Sequence, residues 1–324
     1  MFVNLEEASR LIHEGRILHI AADEYLLEQL PKGKWIAGTT PYFITEHGGT
    51  VCKDRLFVND ITDAVDYKTV VYDKNSILNI TEDAYSNGIT FLIMPYASDV
   101  AVVYAKEAPN LSNLYINPIV GWISGYDLSA DSTAKVYDGV SGESYYNKAV
   151  ALHVCLPDDQ MVSLGIVNIF DTDENDTKIE FAEDALSVEK CLVDGKETLL
   201  ADYILQNQIN TQLPLIADYN SVLINVSIKT VSEHNKTVDL YAPVFAGKEY
   251  RFSRPVSNYA ARFKEHLQGL EDIKPIFSCN CILNYLYGEL EGKATPPFTG
   301  PVTFGEIAYQ LLNQTLVYAE IIRK

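Results

Sequence analysis

At 324 residues the chain is too long for one average domain, and at roughly 150 residues per domain it has room for two cores. Hydrophobic residues make up 47% and charged residues 21%, a balance that folds and excludes a disordered chain. Lys and Arg number 25 against 44 Asp and Glu, and the resulting formal charge of −19 repels phosphate backbones, which excludes nucleic acid as an expected partner.

The N-terminus carries Glu6 and Glu7 where a signal peptide needs basic residues before an apolar run, so no export signal is expected. Leu5, Ala8, Leu11 and Ile12 repeat at helical spacing behind Asn4 as N-cap, with Gly15 as the stop. Ile17–Ala21 then reads as a buried strand, Asp23–Leu30 as a helix ended by Pro31, and Lys34–Thr39 as a second strand. After a turn-rich corner at Glu46-His47-Gly48-Gly49 come strands at Arg55–Ile61 and Tyr67–Tyr72, a helix at Thr81–Asn87, a strand at Ile89–Pro95 and a helix at Asp99–Ala108. The apolar runs Ile89–Pro95 and Val100–Ala105 fall far short of the ~20 residues a membrane helix needs, so no membrane partner is expected.

Tyr145–Leu156 and Met161–Phe170 are strand-like and flank Pro157-Asp158-Asp159, which predicts an antiparallel hairpin. The acidic stretch 171–176 is the expected boundary between an N-terminal module, 1–172, and a C-terminal module, 177–324. Beyond it the pattern predicts helices at Lys196–Asn207 and Ser257–Leu267, strands at Ser221–Val231, Thr237–Ala242 and Lys274–Ser278, a helix or turn at Gly305–Leu312 and a closing strand at Thr315–Ile322. The expected class is α/β or α+β, with mixed sheets layered with helices in two modules.

The chain has no phosphate-binding P-loop, dinucleotide fingerprint, nucleophile elbow or zinc-peptidase helix, and no cofactor is expected. Asp171, Asp173 and Asn175 mimic the start of a calcium loop, but Asp176 stands where Gly is needed and Ala182 where Glu is needed. No metal is expected there. Five cysteines, an odd and scattered set, fit a reducing cytoplasm better than a disulfide scaffold. Cys279 and Cys281 follow an apolar strand, where ligand sites tend to form, although two thiols do not complete a tetrahedral metal site and free Cys is commonly buried. Gly38, Thr39, Thr40 and Tyr42 also follow a strand and offer amides and hydroxyls to an anion, or form a plain turn. Trp122 and Tyr126 stack on a ligand or simply pack in the core.

Trp35-Ile36-Ala37-Gly38-Thr39-Thr40, Pro118–Gly125, Ile276-Phe277-Ser278-Cys279, and Thr303-Phe304-Gly305-Glu306-Ile307 followed by Asn313-Gln314-Thr315 occur in an order that resembles the FIST proteins over nearly the whole chain. That resemblance implies paired N- and C-terminal modules that sense a small ligand, including amino acids; since two such modules leave no room for a kinase or receiver segment, a sensor of this kind is expected to act through a signalling partner. Where the family often places Arg three residues after the Cys, this chain has Ile282, which removes a partner for an anionic group. The ligand site is expected at Cys279, Asn280, Cys281 and Glu306, with Gly38–Tyr42 or Trp122–Tyr126 nearby. Glu306 is singled out because a carboxyl flanked by Phe304 and Ile307 is costly to bury unless paired or functional. Two rivals stand beside a sensor: a hydrolase or transferase with Cys279 as nucleophile, and an adaptor without a ligand.

Overall fold

A computed structural model describes residues 1–130, 132–219, 222–256 and 258–324. The first helix, Leu5–His13, forms as its spacing predicts: the Asn4 side chain accepts from the Glu7 amide and Ala8, Leu11 and Ile12 are buried. Gly15 ends it at a φ of 76°, a conformation open to glycine. Leu18–Ala22 and Trp35–Thr39 pair in parallel on either side of the short helix Glu24–Leu27, which gives the expected β-α-β start.

The chain is mixed α/β with an α+β arrangement in which strand outweighs helix, 41% against 15%. One six-stranded sheet contains Leu18–Ala22 and Trp35–Thr39, and the Leu5–His13 helix covers its outer face. A second is ordered Gln310–Leu312, Glu306–Ala308, Ile119–Ser124, Gly88–Pro95, Ala149–Cys155, Asp66–Tyr72. Alternation gives this sheet two buried faces: Phe91, Ile93 and Trp122 pack against the first sheet and against a third, while Leu92, Met94 and Ile123 pack on the helix Asp99–Glu107. The third sheet runs Gln160–Val167, Leu316–Arg323, Phe277–Cys281, Gly300–Thr303, Tyr42–Thr45, Gly48–Val51. Residues 179–252 build a lobe with its own core, from a six-stranded sheet and a three-stranded one ordered Ala185–Val188, Thr237–Val244, Ile228–Ser232. Strands from both sides of the acidic stretch 171–176 therefore share the second and third sheets. Among the described residues no helix is long and apolar enough to cross a membrane.

Several expectations are corrected. The hairpin across Pro157-Asp158-Asp159 does not form: Ala149–Cys155 pairs with Asp66–Tyr72 and Gly88–Pro95, while Gln160–Val167 pairs with Leu316–Arg323. Each strand finds a full-length antiparallel partner from distant chain, and the turn carries the backbone from one sheet to another. Thr81–Asn87 is not helical, because the Asn87 side chain bonds the carbonyls of Leu156 and Pro157 and Asp83 accepts from Tyr72. The helix expected from Lys196 starts only at Leu200–Gln206, since Lys196–Leu199 pairs with Lys190–Val193 across a turn at Asp194 and Gly195. Gly305–Leu312 is a tight strand pair turning at Tyr309, whose φ is 63°. Cys279, Asn280 and Cys281 lie inside the strand Phe277–Cys281, not beyond its end. The helix expected from Ser257 runs over Tyr259–His266, capped by Asn258; Ser257 and Ser221 lie outside the described residues.

A buried carboxyl and the cleft beside it

Glu306 sits opposite Trp122 in the second sheet and points into the layer between that sheet and the third. It is wholly buried. Its Oε2 accepts from the Thr315 amide at 3.2 Å and the Thr315 hydroxyl at 3.0 Å, and its Oε1 lies 3.2 Å from the Thr303 hydroxyl. The Cys281 thiol is a further donor. No cation is among these partners, so desolvation dominates and pushes the carboxyl up to about 8. The geometry suits the neutral acid: the Thr303 hydroxyl lies 3.3 Å from the Asn280 carbonyl, so it can donate there while it accepts a hydrogen bond from the protonated Glu306.

Cys279 and Cys281 lie on the same side of their strand, and burial holds both thiols well above their ordinary range. The Cys279 thiol donates to the Gly121 carbonyl at 3.6 Å. All five cysteines are unbridged. Asn280, on the opposite face, accepts from the Asn284 amide at 3.0 Å. Cys279, Asn280, Cys281 and Glu306 are thus brought together, but at 2% exposure or less they present no surface to a ligand.

Thr39 and Thr40 line a different groove, while Gly38 and Tyr42 are buried behind it. Gly38 is required because a Cβ there would come within 2.7 Å of the Trp122 ring. The Thr39 hydroxyl donates to the Gly125 carbonyl at 2.6 Å and Thr40 to Val302 at 2.7 Å, so neither is spare, and Tyr42 accepts from the Leu128 amide. Asp23, Glu24, Glu28 and Asp127 face the same groove, and its Lys53 is paired to Asp127, which makes it hostile to an anion. Trp122 is fully buried and its indole donates to His19 Nε2 at 2.9 Å.

Tyr126 lines that groove together with Thr39 and Thr40, and its ring also reaches toward a second aromatic group. Its ring lies 5.2 Å from Phe304 and 6.3 Å from Tyr96, and Tyr96 lies 5.3 Å from Phe304. Tyr96 and Phe304 of this cluster stand where a cleft of about 330 Å³ opens between the helix Asp99–Glu107 and the three-stranded sheet of the lobe. Tyr96, Ala101, Ile123 and Phe304 form one wall; Lys229, Asp239 and Tyr241 form the other. Gly125 makes room for Phe304, since a Cβ there would meet its ring at 2.2 Å. Asp239 accepts from the hydroxyls of Ser187 at 2.6 Å and Thr230 at 2.8 Å, which hold it below the ordinary carboxylate range. Lys229 has its Nζ 5.5 Å from the Tyr96 ring centre, and its charge helps to lower Asp239 across the same wall without a contact at ion-pair distance.

Sequence reasoning missed Tyr96, Lys229, Asp239 and Tyr241. Alternation in Thr237–Val244 identifies a half-exposed strand, but nothing local marks which side faces a cleft. Among the described residues no cluster of three or more His, Cys, Asp or Glu is arranged to hold a metal.

A search of curated proteins finds no match to this chain. A family model described as a family of unknown function, DUF6976, matches residues 3–322. The chain therefore belongs to the DUF6976 family.

Proposed function

We propose that this protein is a small-ligand sensor of the cytoplasm, which takes its ligand in the cleft between the Asp99–Glu107 helix and the lobe and signals through a protein partner. The cleft itself carries this reading. Its volume of about 330 Å³ lies at the lower end of the ~300–1,000 Å³ typical of small-molecule sites. Its lining is largely apolar and aromatic with a few charged groups, which is the composition such sites use. It also joins two separately cored parts of the chain, so an occupant would touch both. The FIST resemblance argues in the same direction. A buried thiol raised in pKa, with its hydrogen committed to a carbonyl, is a poor nucleophile, and this weighs against Cys279 as a catalytic residue.

The test is to block the cleft. Ala101→Phe and Leu186→Trp each add bulk to opposite walls. Compounds from a panel of small apolar and aromatic molecules should raise the melting temperature of the wild-type chain and have no effect on either variant, with both variants unfolding cooperatively. Shifts that persist in both folded variants would place binding elsewhere.

A further inference from the structure

We propose that the cleft selects a compact aromatic monocarboxylate, held by Lys229 with its ring among Tyr96, Tyr241 and Phe304. This rests on the cleft being a ligand site and adds the chemical class. Lys229 is a cation at an apolar opening, directed over the Tyr96 face; among the described residues no carboxylate lies within ion-pair distance of it, and Asp239 acts on it only at longer range. Lys53, Lys74, Lys190 and Lys236 pair with carboxylates, whereas Lys34, Lys68 and Lys148 lie over tyrosine rings as Lys229 does; Lys229 differs from these in standing in the wall of an apolar cleft.

Asp239 narrows the class. It stands in the same wall, ionised and anchored by Ser187 and Thr230, so a second negative group on the ligand meets it at close range. The chain's overall charge disfavours polyanions at longer range as well. One carboxylate on a neutral body remains. The body is specified by the rings: Tyr96 and Phe304 meet nearly edge to face at 74°, an arrangement that leaves a ring face and a ring edge for a third aromatic group.

Calorimetric titration of the full chain with 3-phenylpropionate, 3-phenylpropanamide and 3-phenylpropan-1-amine tests the class. The acid should bind at least about tenfold more tightly than the amide, and the amine should be weakest. Lys229→Gln, an exposed substitution that leaves the fold intact, should bring the acid down to the level of the amide while the amide keeps its affinity. An amide that matches the acid in the wild type, an amine that binds best, or an acid preference that survives Lys229→Gln would each overturn the proposal. Uniform binding of all three that disappears in Ala101→Phe would overturn the class alone and leave the cleft as a site. Absence of binding by all three, or binding unchanged in Ala101→Phe, would overturn the cleft as their site and the class with it.

Discussion

Glu306 and Asp239 are both carboxyls held by two hydroxyl-bearing side chains, yet their environments drive them in opposite directions. Asp239 faces the cleft mouth, where water and the hydroxyls of Ser187 and Thr230 favour the charged form and its pKa falls. Glu306 has Thr303 and Thr315, a backbone amide and a thiol, but no solvent, and its pKa rises to about 8. Hydrogen bonds alone do not keep a carboxyl ionised once desolvation is complete. The polar centre that looks most functional in the sequence therefore holds sheets together, while the charges available to a ligand lie on a half-exposed strand beside it.

The largest effect expected from breaking this contrast is at Glu306. Glu306→Ala leaves the Thr315 amide and hydroxyl without their acceptor and the Thr303 hydroxyl without its donor, opens a void between two sheets, and should cost on the order of 4 kcal/mol in urea unfolding at pH 6. The next concerns pH. Because the folded state holds the Glu306 proton up to about 8 and the unfolded state releases it near 4.5, its stabilising contribution is complete below 4.5 and is lost as pH rises towards 8. The span is on the order of 3–5 kcal/mol, and Glu306→Gln should abolish this alkaline decline.

His153 supplies the opposite limb. Tyr72 donates to Asp83 at 2.7 Å, so the imidazole donates to Tyr72 through Nε2 and accepts from Thr90 at Nδ1, a neutral form fully satisfied. Burial pushes His153 down to about 4, so its contribution is present above 6.5 and is lost as pH falls towards 4. His153→Gln should remove about 2–3 kcal/mol of that acid loss. With His19 lowered to about 3 in the same way, wild-type stability should peak near pH 6.5. The smallest effect is Asp239→Asn, which keeps a hydrogen-bonding partner at a partly exposed site and should cost under ~1 kcal/mol. It should also strengthen acid binding in the cleft by removing a negative neighbour.

The helices Leu5–His13 and Asp99–Glu107 and the strand Gly88–Pro95 were legible because caps and apolar spacing are local properties. Strand partnership was not, as the false hairpin at Pro157 shows: turn chemistry says where the chain bends, whereas the choice of partner depends on strands as distant as Leu316–Arg323. The burial of Glu306 could be anticipated from Phe304 and Ile307. Its neutral state depends on Thr303, Thr315 and Cys281 meeting from three segments. Lys229 looks like any surface lysine until the lobe sets it over Tyr96.

Hydrogen–deuterium exchange of the full chain, with and without 3-phenylpropionate, tests the division between filled centre and open cleft most directly. Occupancy should slow exchange in the Asp99–Glu107 helix and in the strands Ala185–Val188, Ile228–Ser232 and Thr237–Val244, whose residues line the cleft. The strand Phe277–Cys281, already buried throughout, should exchange at the same rate in both states. Slowed exchange confined to Phe277–Cys281 and Glu306–Ala308, with the cleft segments unchanged, would contradict the account and make the buried carboxyl the binding site.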